Sequence, residues 1–395
     1  MSEQDLPGST MNVTVGPELV ANQAHRGLVP GFGGRISAGL VWDGTNEVRV
    51  PEAMGKPRAD QMQGTPRERI TELAGRCCYD SLGKGRSSAD YAKHLIQVGH
   101  LSVLEHAAFT VQLEMHSDRD FVDFLNRPGV WVDHRETKTY VTLNLRAAME
   151  WDKWLPAHSS GSNLGAHLKW EAFKLAPNLV GEQKQPGKPW RACCVVEPET
   201  DAEKWVTLYL VGSRGWSHEL VRHGDWTAIS QRSTRYVDES ESQWVMHPLI
   251  AKFMEDLTSR GGGFAEQSWH CSEILEDCIK KGRSGYVWLV SKIQPWLESR
   301  GVDKVSARKQ ARGAARGLLG NALETEVIFS ASVQQWKHML RMRAADAADA
   351  EIRLQFAEAV LPCLKASRYA DSFDGIELVP ASDGLGRSLA GGGAK

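Results

Sequence analysis

Residues 213–236 read SRGWSHELVRHGDWTAISQRSTRY. The segment follows Val206, Leu208 and Leu210, an alternation with the period of a half-buried strand. The pattern then changes. Trp216 and Leu220 set an apolar stripe at helical spacing, Arg222 and His223 fall in the last turn where cations suit the helix dipole, and Gly224 stands where a cap is needed. His218, Glu219, Arg222, His223, Arg232 and Arg235 make this the densest polar cluster in the chain. HELVRH looks like the H-E-x-x-H zinc helix, but its histidines are five apart and so lie about 140° apart around a helix. They cannot share a metal on one face. Beyond the cap, Ser230, Gln231, Ser233, Thr234 and Arg235 combine small hydroxyls with a guanidinium, a set suited to phosphate because arginine binds its oxygens in pairs. A capped helix end followed by a solvated basic turn is the plainer alternative.

Working outward, Phe109, Val111, Leu113 and Met115 alternate in the same way, as do Val141, Leu143 and Leu145. Together with Val206–Leu210 they predict one antiparallel sheet. Arg69 to Val98 reads as helical with a break at Gly83-Lys84-Gly85, and Gly261-Gly262-Gly263 marks another break. Val333, Trp336, Leu340, Ile352, Phe356 and Val360 fit one long helix or two. Residues 1–60 lack periodicity and read as an N-terminal extension; GFGGR near Gly31 has neither the G-x-G-x-x-G spacing nor a preceding strand. The main domain is expected over 61–375, with an insertion at 151–200 that contains GSNLG and KQPGKP. Residues 376–395, ending SDGLGRSLAGGGAK, read as a flexible tail.

Composition sets the outer limits. The 395 residues carry 47 Lys+Arg against 49 Asp+Glu, a formal charge of −2, with 42% apolar and 24% charged residues. These values exclude a disordered, collagenous or nucleic-acid-coating chain and argue against a nucleic acid polymer as partner. No run approaches the ~18 apolar residues of a membrane span, and the N-terminus has no basic start, so a soluble, cytoplasmic protein is expected. Seven cysteines without C-x-x-C speak against a disulfide scaffold or structural zinc, and no metal is expected. Fourteen tryptophans read more simply as core filler than as a stacking surface.

Two further clusters carry chemistry. His100-Leu101-Ser102-Val103-Leu104-Glu105-His106 precedes the first strand and could be a solvated turn or a site. In Gln334–Arg343, followed by Asp349–Arg353, His338 and Arg341 are neighbours on a helix whose buried side is Trp336 and Leu340. A solvated basic face is the alternative there. Taken in order, HLSVLEHAAFT, SHELVRHG with SQRSTRY, and WKHMLRMR with EIR resemble the flavin-dependent thymidylate synthase family across most of residues 70–365. That family's signature is Arg-His-Arg, seven residues, then Ser. Here Arg222 and His223 are followed by Gly224, and eight residues separate Gly224 from Ser233.

The resemblance implies an α/β (α+β) fold with a central antiparallel sheet flanked by helices, assembled as a homotetramer with active sites between subunits. It implies FAD as cofactor, a uridylate acceptor, methylenetetrahydrofolate as carbon donor and NADPH as reductant. Carried onto matching positions, His100, Ser102, Glu105, Arg222, His223, Gln231 and His338 approach FAD. Glu219, Ser233, Thr234, Arg235, Arg316 and Arg343 hold the nucleotide, with Arg343 and Arg222 as the catalytic pair. Several positions depart from the pattern: Gly224 loses an arginine, Gln231 stands where an acid is frequent, and Glu219 where glutamine is common. Ser332 and Gln334 replace an Asn and an Arg that assist the flavin, and Gly320 replaces a loop proline. The default reaction is dUMP to dTMP. UMP C5-methylation in nucleoside-antibiotic (polyoxin-type) biosynthesis is the alternative within the class, and a catalytically silent nucleotide-binding protein the alternative outside it. The residue types suit the chemistry, since uracil C5 needs either a thiolate at C6 or cationic donors for the charge developing on the ring. Pro362-Cys363-Leu364 lies late in an apolar helix without an adjacent base, so Cys363 reads as core filler and the arginines as ring stabilisers. Ser233 reads as a phosphate-binding hydroxyl rather than a nucleophile.

Overall fold

The computed structural model describes residues 32–50, 62–114, 129–136, 138–151, 161–186, 194–224 and 226–391. At its centre β6 (Trp205–Ser213) pairs antiparallel with β8 (Glu324–Ser332) over nine register positions. β1 (Ser37–Trp42) flanks β6 and β7 (Thr227–Gln231) flanks β8, giving the order β1-β6-β8-β7. Every residue of β6 is buried. Val206, Leu208 and Leu210 face one core with Trp336 and Phe356, whereas Trp205, Tyr209 and Val211 face a second core with Ile70 and Leu73. The expected half-buried strand is therefore covered on both sides.

A second antiparallel sheet has the order β3-β4-β2-β5, made of β3 (Val130–Arg135), β4 (Lys138–Asn144), β2 (Ala108–Glu114) and β5 (Cys194–Val196). The three alternating runs thus lie in two sheets rather than one, because a period of two reports which side of a strand is buried and not which strand it joins. Met115 lies outside the described residues.

The helical expectation over Arg69–Val98 resolves into α1 (Pro66–Tyr79) and α2 (Ser88–Gln97), with the glycine break between them. α1 starts on a capping box in which Thr65 Oγ1 accepts from the Glu68 N–H and Glu68 Oε2 accepts from the Thr65 N–H. Gly261 and Gly262, both at positive φ, separate α5 (Pro248–Arg260) from α6 (Gly263–Glu298). α6 packs against α7 (Lys304–Ala315) through the buried alanines 307, 311 and 315. α8 (Val333–Arg343) and α9 (Ala350–Gln355) are separate helices. The second continues through a wider π turn at Phe356–Val360 to Lys365.

Three expectations need correction. Residues of the N-terminal extension enter the core: all six residues of β1 are buried, and the Gly34 N–H donates to the Trp244 carbonyl at 2.9 Å. A Cβ at Gly34 would come within 2.6 Å of that same carbonyl, so the approach requires glycine. In the stretch read as an insertion, α3 (Gly161–Leu175) buries Leu164, Leu168 and Ala172 completely, and β5 completes the second sheet. The tail, expected to be flexible, forms a hairpin of Leu378–Pro380 with Arg387–Leu389. It is pinned by an Arg353–Asp383 pair at 2.5 Å. The Gly, Pro and charged residues around these segments masked them: β1 and α3 are held by side-chain burial, and the C-terminal hairpin by backbone pairing and the Arg353–Asp383 pair.

Tryptophans 42, 151, 205, 216, 244 and 336 are buried, as core filler requires, but Trp269 and Trp288 on α6 are each 60% exposed. Cys363 is buried, and desolvation pushes its thiol up to about 12. Trp336, fully buried against Phe329 and Phe356, donates Nε1–H to the Val206 carbonyl at 3.1 Å. Trp336→Ala should cost about 3–5 kcal/mol of stability, read from the urea midpoint at unchanged m-value.

Candidate functional site

The central ladder positions the site. Ser213, at the end of β6, caps α4 (Arg214–Leu220) by accepting from the Trp216 N–H at 3.0 Å. Ser332, at the end of β8, caps α8 in the same way from Gln335. Since β6 and β8 are antiparallel, the two helices start from opposite ends of the ladder, and Trp216, Leu220, Trp336 and Leu340 pack them on the same face. A nine-residue strand spans about 27 Å, and the 7 and 11 residues of α4 and α8 add up to about the same length at 1.5 Å each. Their C-termini meet.

At that junction Arg343 donates from Nη1 to Glu219 Oε2 at 2.5 Å, from Nη2 to the Glu219 carbonyl at 3.1 Å and from Nε to His223 Nε2 at 2.8 Å. A guanidinium at the last carbonyls of α4 is favoured by the helix dipole. Glu219 also accepts from Arg222 at 3.0 Å. The acceptor role of Nε2 requires a neutral His223 with its proton on Nδ1. Burial first, then the Arg343 and His338 charges, hold its pKa down to about 4. His338 stands edge-on to His223 with ring centroids 5.8 Å apart. Beside them opens a cleft of about 390 Å³ lined by Arg222, His223, Gly224, Gln334, Gln335, His338 and Arg341. A Cβ at Gly224 would meet nothing within 4 Å, so glycine there enlarges the cleft rather than relieving a clash. Ser332, one of the departures from the family pattern, is committed to capping α8.

A second group lies past the far end of β7. Ser233 donates its N–H to the Cys78 carbonyl at 3.0 Å, which ties the hydroxyl turn to α1. Arg235 is exposed and runs alongside Gly313 of α7, Arg316 is exposed just after that helix, and Thr234 is buried. His100 belongs to this side of the molecule. Its ring lies edge-on to Tyr79 at 5.4 Å, and Tyr79 stands edge-on to Tyr236 at 4.7 Å. Ser102 is half-buried in the short 3₁₀ turn Leu101–His106, and Glu105 of that turn pairs with Arg146 at 2.5 Å. Gln231 donates to Ser217 at 2.8 Å and Thr325 at 3.1 Å, locking the end of β7 to α4 and β8.

Within one chain, then, the residues assigned to FAD do not converge. Arg222, His223 and His338 gather at one end of β7. His100 lies with Tyr79 beyond the other end, and Ser102 and Glu105 sit on the 3₁₀ turn that packs along β7, where His106 meets Ser230 and Ser330; none of the three lines the cleft. Glu219, assigned to the nucleotide, gives its carboxylate to Arg343 and Arg222. Sequence reasoning placed His106 in a polar cluster but gave it no role of its own. It is fully buried, its two ring nitrogens meeting the Ser330 hydroxyl at 2.7 Å and the Ser230 hydroxyl at 2.9 Å, and desolvation lowers its pKa to about 3. It braces the 3₁₀ turn against β7 and β8. Tyr79, Tyr236 and Lys309 were missed, although cations at 304, 308, 312 and 316 recur at helical spacing.

Residues 204–367 match the family model described as thymidylate synthase complementing protein, a span shorter than half of the chain. The chain is 36% identical over 183 residues to the flavin-dependent thymidylate synthase of Mycolicibacterium vanbaalenii, covering 45% of this chain and 64% of that protein. It is 38% identical over 152 residues to that of Mycobacterium marinum, covering 38% and 53%. Over a longer stretch it is 27% identical to that of Mycobacterium sp. strain JLS, across 323 residues, 80% of this chain and 82% of the relative. The chain thus spans less than two thirds of the first two relatives.

Because folded His223 binds its proton more weakly than an unfolded histidine, the unfolded state takes up protons first as pH falls from about 6.5 toward 4. Stability should fall over that window, and His223→Gln should flatten part of the slope in urea titrations at stepped pH. The ring signals of His223 should report the neutral Nδ1–H tautomer throughout pH 8 to about 5.

Proposed function

We propose that the protein is a flavin-dependent methyltransferase that places a reduced one-carbon unit on C5 of a uracil mononucleotide, with dUMP to dTMP as the default reaction. The observation that carries this is the junction of α4 and α8, where Arg343 holds Glu219 and a neutral His223, and where Arg222 and His223 line a polar cleft. The lining of that cleft suits a flavin nucleotide: Arg222 and Arg341 match phosphates, and the histidines and the Gln334 and Gln335 amides match the ring carbonyls and nitrogens. Arg222, His223, His338 and Gln334 would hold FAD, with His100, Ser102 and Glu105 completing its surroundings from a second copy in a homotetramer. Held by these residues, a flavin would supply redox chemistry for the transfer of a one-carbon unit from methylenetetrahydrofolate, with NADPH as the electron source.

The chain's own residues supply the electrostatics. Arg343, fixed by three hydrogen bonds, faces the uracil ring and stabilises the negative charge that develops on its oxygens. Glu219 orients both arginines. Ser233, Arg235 and Arg316 of a second copy hold the 5′-phosphate, since β7 separates this turn from Arg343 within one chain, and Gln231 keeps the turn in place through Ser217 and Thr325. Cys363 takes no part: it is buried, and its thiol is held protonated. The reaction is placed in the cytoplasm; among the described residues no helix is long and apolar enough to cross a membrane.

A second reading is motivated by Gly224 and Gln334, which stand where the family pattern has arginines, and by Ser332, which stands where it has Asn: the acceptor is UMP, as in nucleoside-antibiotic pathways, or the flavin has been lost and the protein only binds nucleotide. Purified protein should be yellow or turn yellow with FAD, and with NADPH and methylenetetrahydrofolate it should methylate dUMP or UMP. No flavin binding at micromolar FAD sinks the enzyme reading, and turnover of dUMP alone sinks the UMP reading. Arg235→Ala should raise the nucleotide concentration needed, by about 1.5–3 kcal/mol of lost binding, with kcat little changed. Cys363→Ser should keep turnover, and a folded but inactive variant would restore a thiolate route.

A further inference from the structure

The phosphate end of the site carries more positive charge than a monophosphate can use. Arg214, Arg235, Lys309 and Arg316 form no ion pair among the described residues, although their neighbours do: Arg312 meets Asp238 at 2.6 Å, and Arg232 meets Glu239 at 3.4 Å and Glu326 at 3.7 Å. Arg214 reaches only the Arg232 carbonyl and the Thr325 hydroxyl, each at 3.5 Å. Burial together with the Arg316 and Arg232 charges lowers its pKa, and Glu239 is the one acid that acts in the other direction. Like charges gathered in a partly desolvated place repel, and a bound anion relieves that repulsion.

The cations form a row. Arg214 lies near Arg316, Arg235 runs beside Gly313, and Lys309 lies 4.7 Å from the centre of the Tyr236 ring. Arg316 stands seven positions after Lys309 along α7 and its continuation, about 10 Å along the axis, so the cations are spread over more than the width of a single phosphate. α7 contains no acidic residue along Lys304–Ala315.

We propose that this row binds the polyphosphate chain of a nucleoside di- or triphosphate, the first phosphate at Ser233, Arg235 and Arg316 and the distal ones toward Lys309. This rests on the uridylate reading above and goes beyond it. The site senses nucleoside triphosphate, which occupies the acceptor position without a methyl-accepting role. A folate bearing several γ-glutamates presents similar charge, and the test separates the two.

Titration calorimetry on the flavin-loaded protein in magnesium-free buffer compares dUMP, dUDP and dUTP. Affinity should rise along the series, with dUTP about tenfold tighter than dUMP, and the gain should shrink as salt is raised. Lys309→Met should remove most of that gain and leave dUMP binding unchanged; Lys309→Arg should restore it. Equal or weaker binding of dUTP, or a gain that survives Lys309→Met, overturns the proposal while the uridylate reading stands. A Lys309-dependent gain for polyglutamyl folate with none for dUTP overturns it too. If no uridine nucleotide binds but inorganic tripolyphosphate does, in a Lys309-dependent way, the polyanion row stands and the uridylate reading fails.

Discussion

The nine-position pairing of β6 with β8 is the constraint on which everything else hangs. Its two strands end in serines at opposite ends of the ladder, each serine caps a helix, and both helices turn back over the same apolar face. Because the combined helix length matches the strand length, the last turns collide, and Arg343 is delivered to Glu219 and His223. A residue more or less in either helix would rotate Arg343 by about 100° and break the cluster.

Burial on both faces of the ladder makes this geometry rigid. One face is closed by Trp336 and Phe356 and the other by α1 and its neighbours. Two buried polar groups are fully engaged: His106 bridges Ser230 and Ser330, and the buried Glu351 carboxylate accepts from both the N–H and the hydroxyl of Ser213. Each such group anchors a segment that carries site residues. Glu351 holds the start of α4, and His106 holds the 3₁₀ turn bearing Ser102 and Glu105. Leaving any of them unpaired would cost the full desolvation of a buried polar atom.

Charge is distributed unevenly over this frame. Near the cleft, a single carboxylate, Glu219, balances two arginines beside a neutral His223; past the far end of β7, Arg214, Arg235 and Arg316 form no ion pair among the described residues. The first arrangement suits stabilising charge that develops during a reaction, and the second suits a ligand that arrives already charged.

Residue types and short spacings were enough to single out Arg222 and His223 as part of a polar cluster behind a helix with Trp216 and Leu220 on its buried side. They set the helix end too late: α4 stops at Leu220 with Val221 as its cap, so Arg222, His223 and Gly224 lie beyond it. What lay beyond the sequence is everything set by pairing across long separations. Alternation could not tell that Val111 and Leu208 belong to different sheets, the glycine-rich and polar surroundings concealed β1 and the C-terminal hairpin, and nothing local showed that His106, 124 and 224 residues from its partners, is a buried strut. The tertiary structure decided that Glu219 serves the arginines, that Thr234 is buried, and that the two halves of the site stand at opposite ends of β7. Packing acts on distance in space, and a one-dimensional pattern records only distance along the chain.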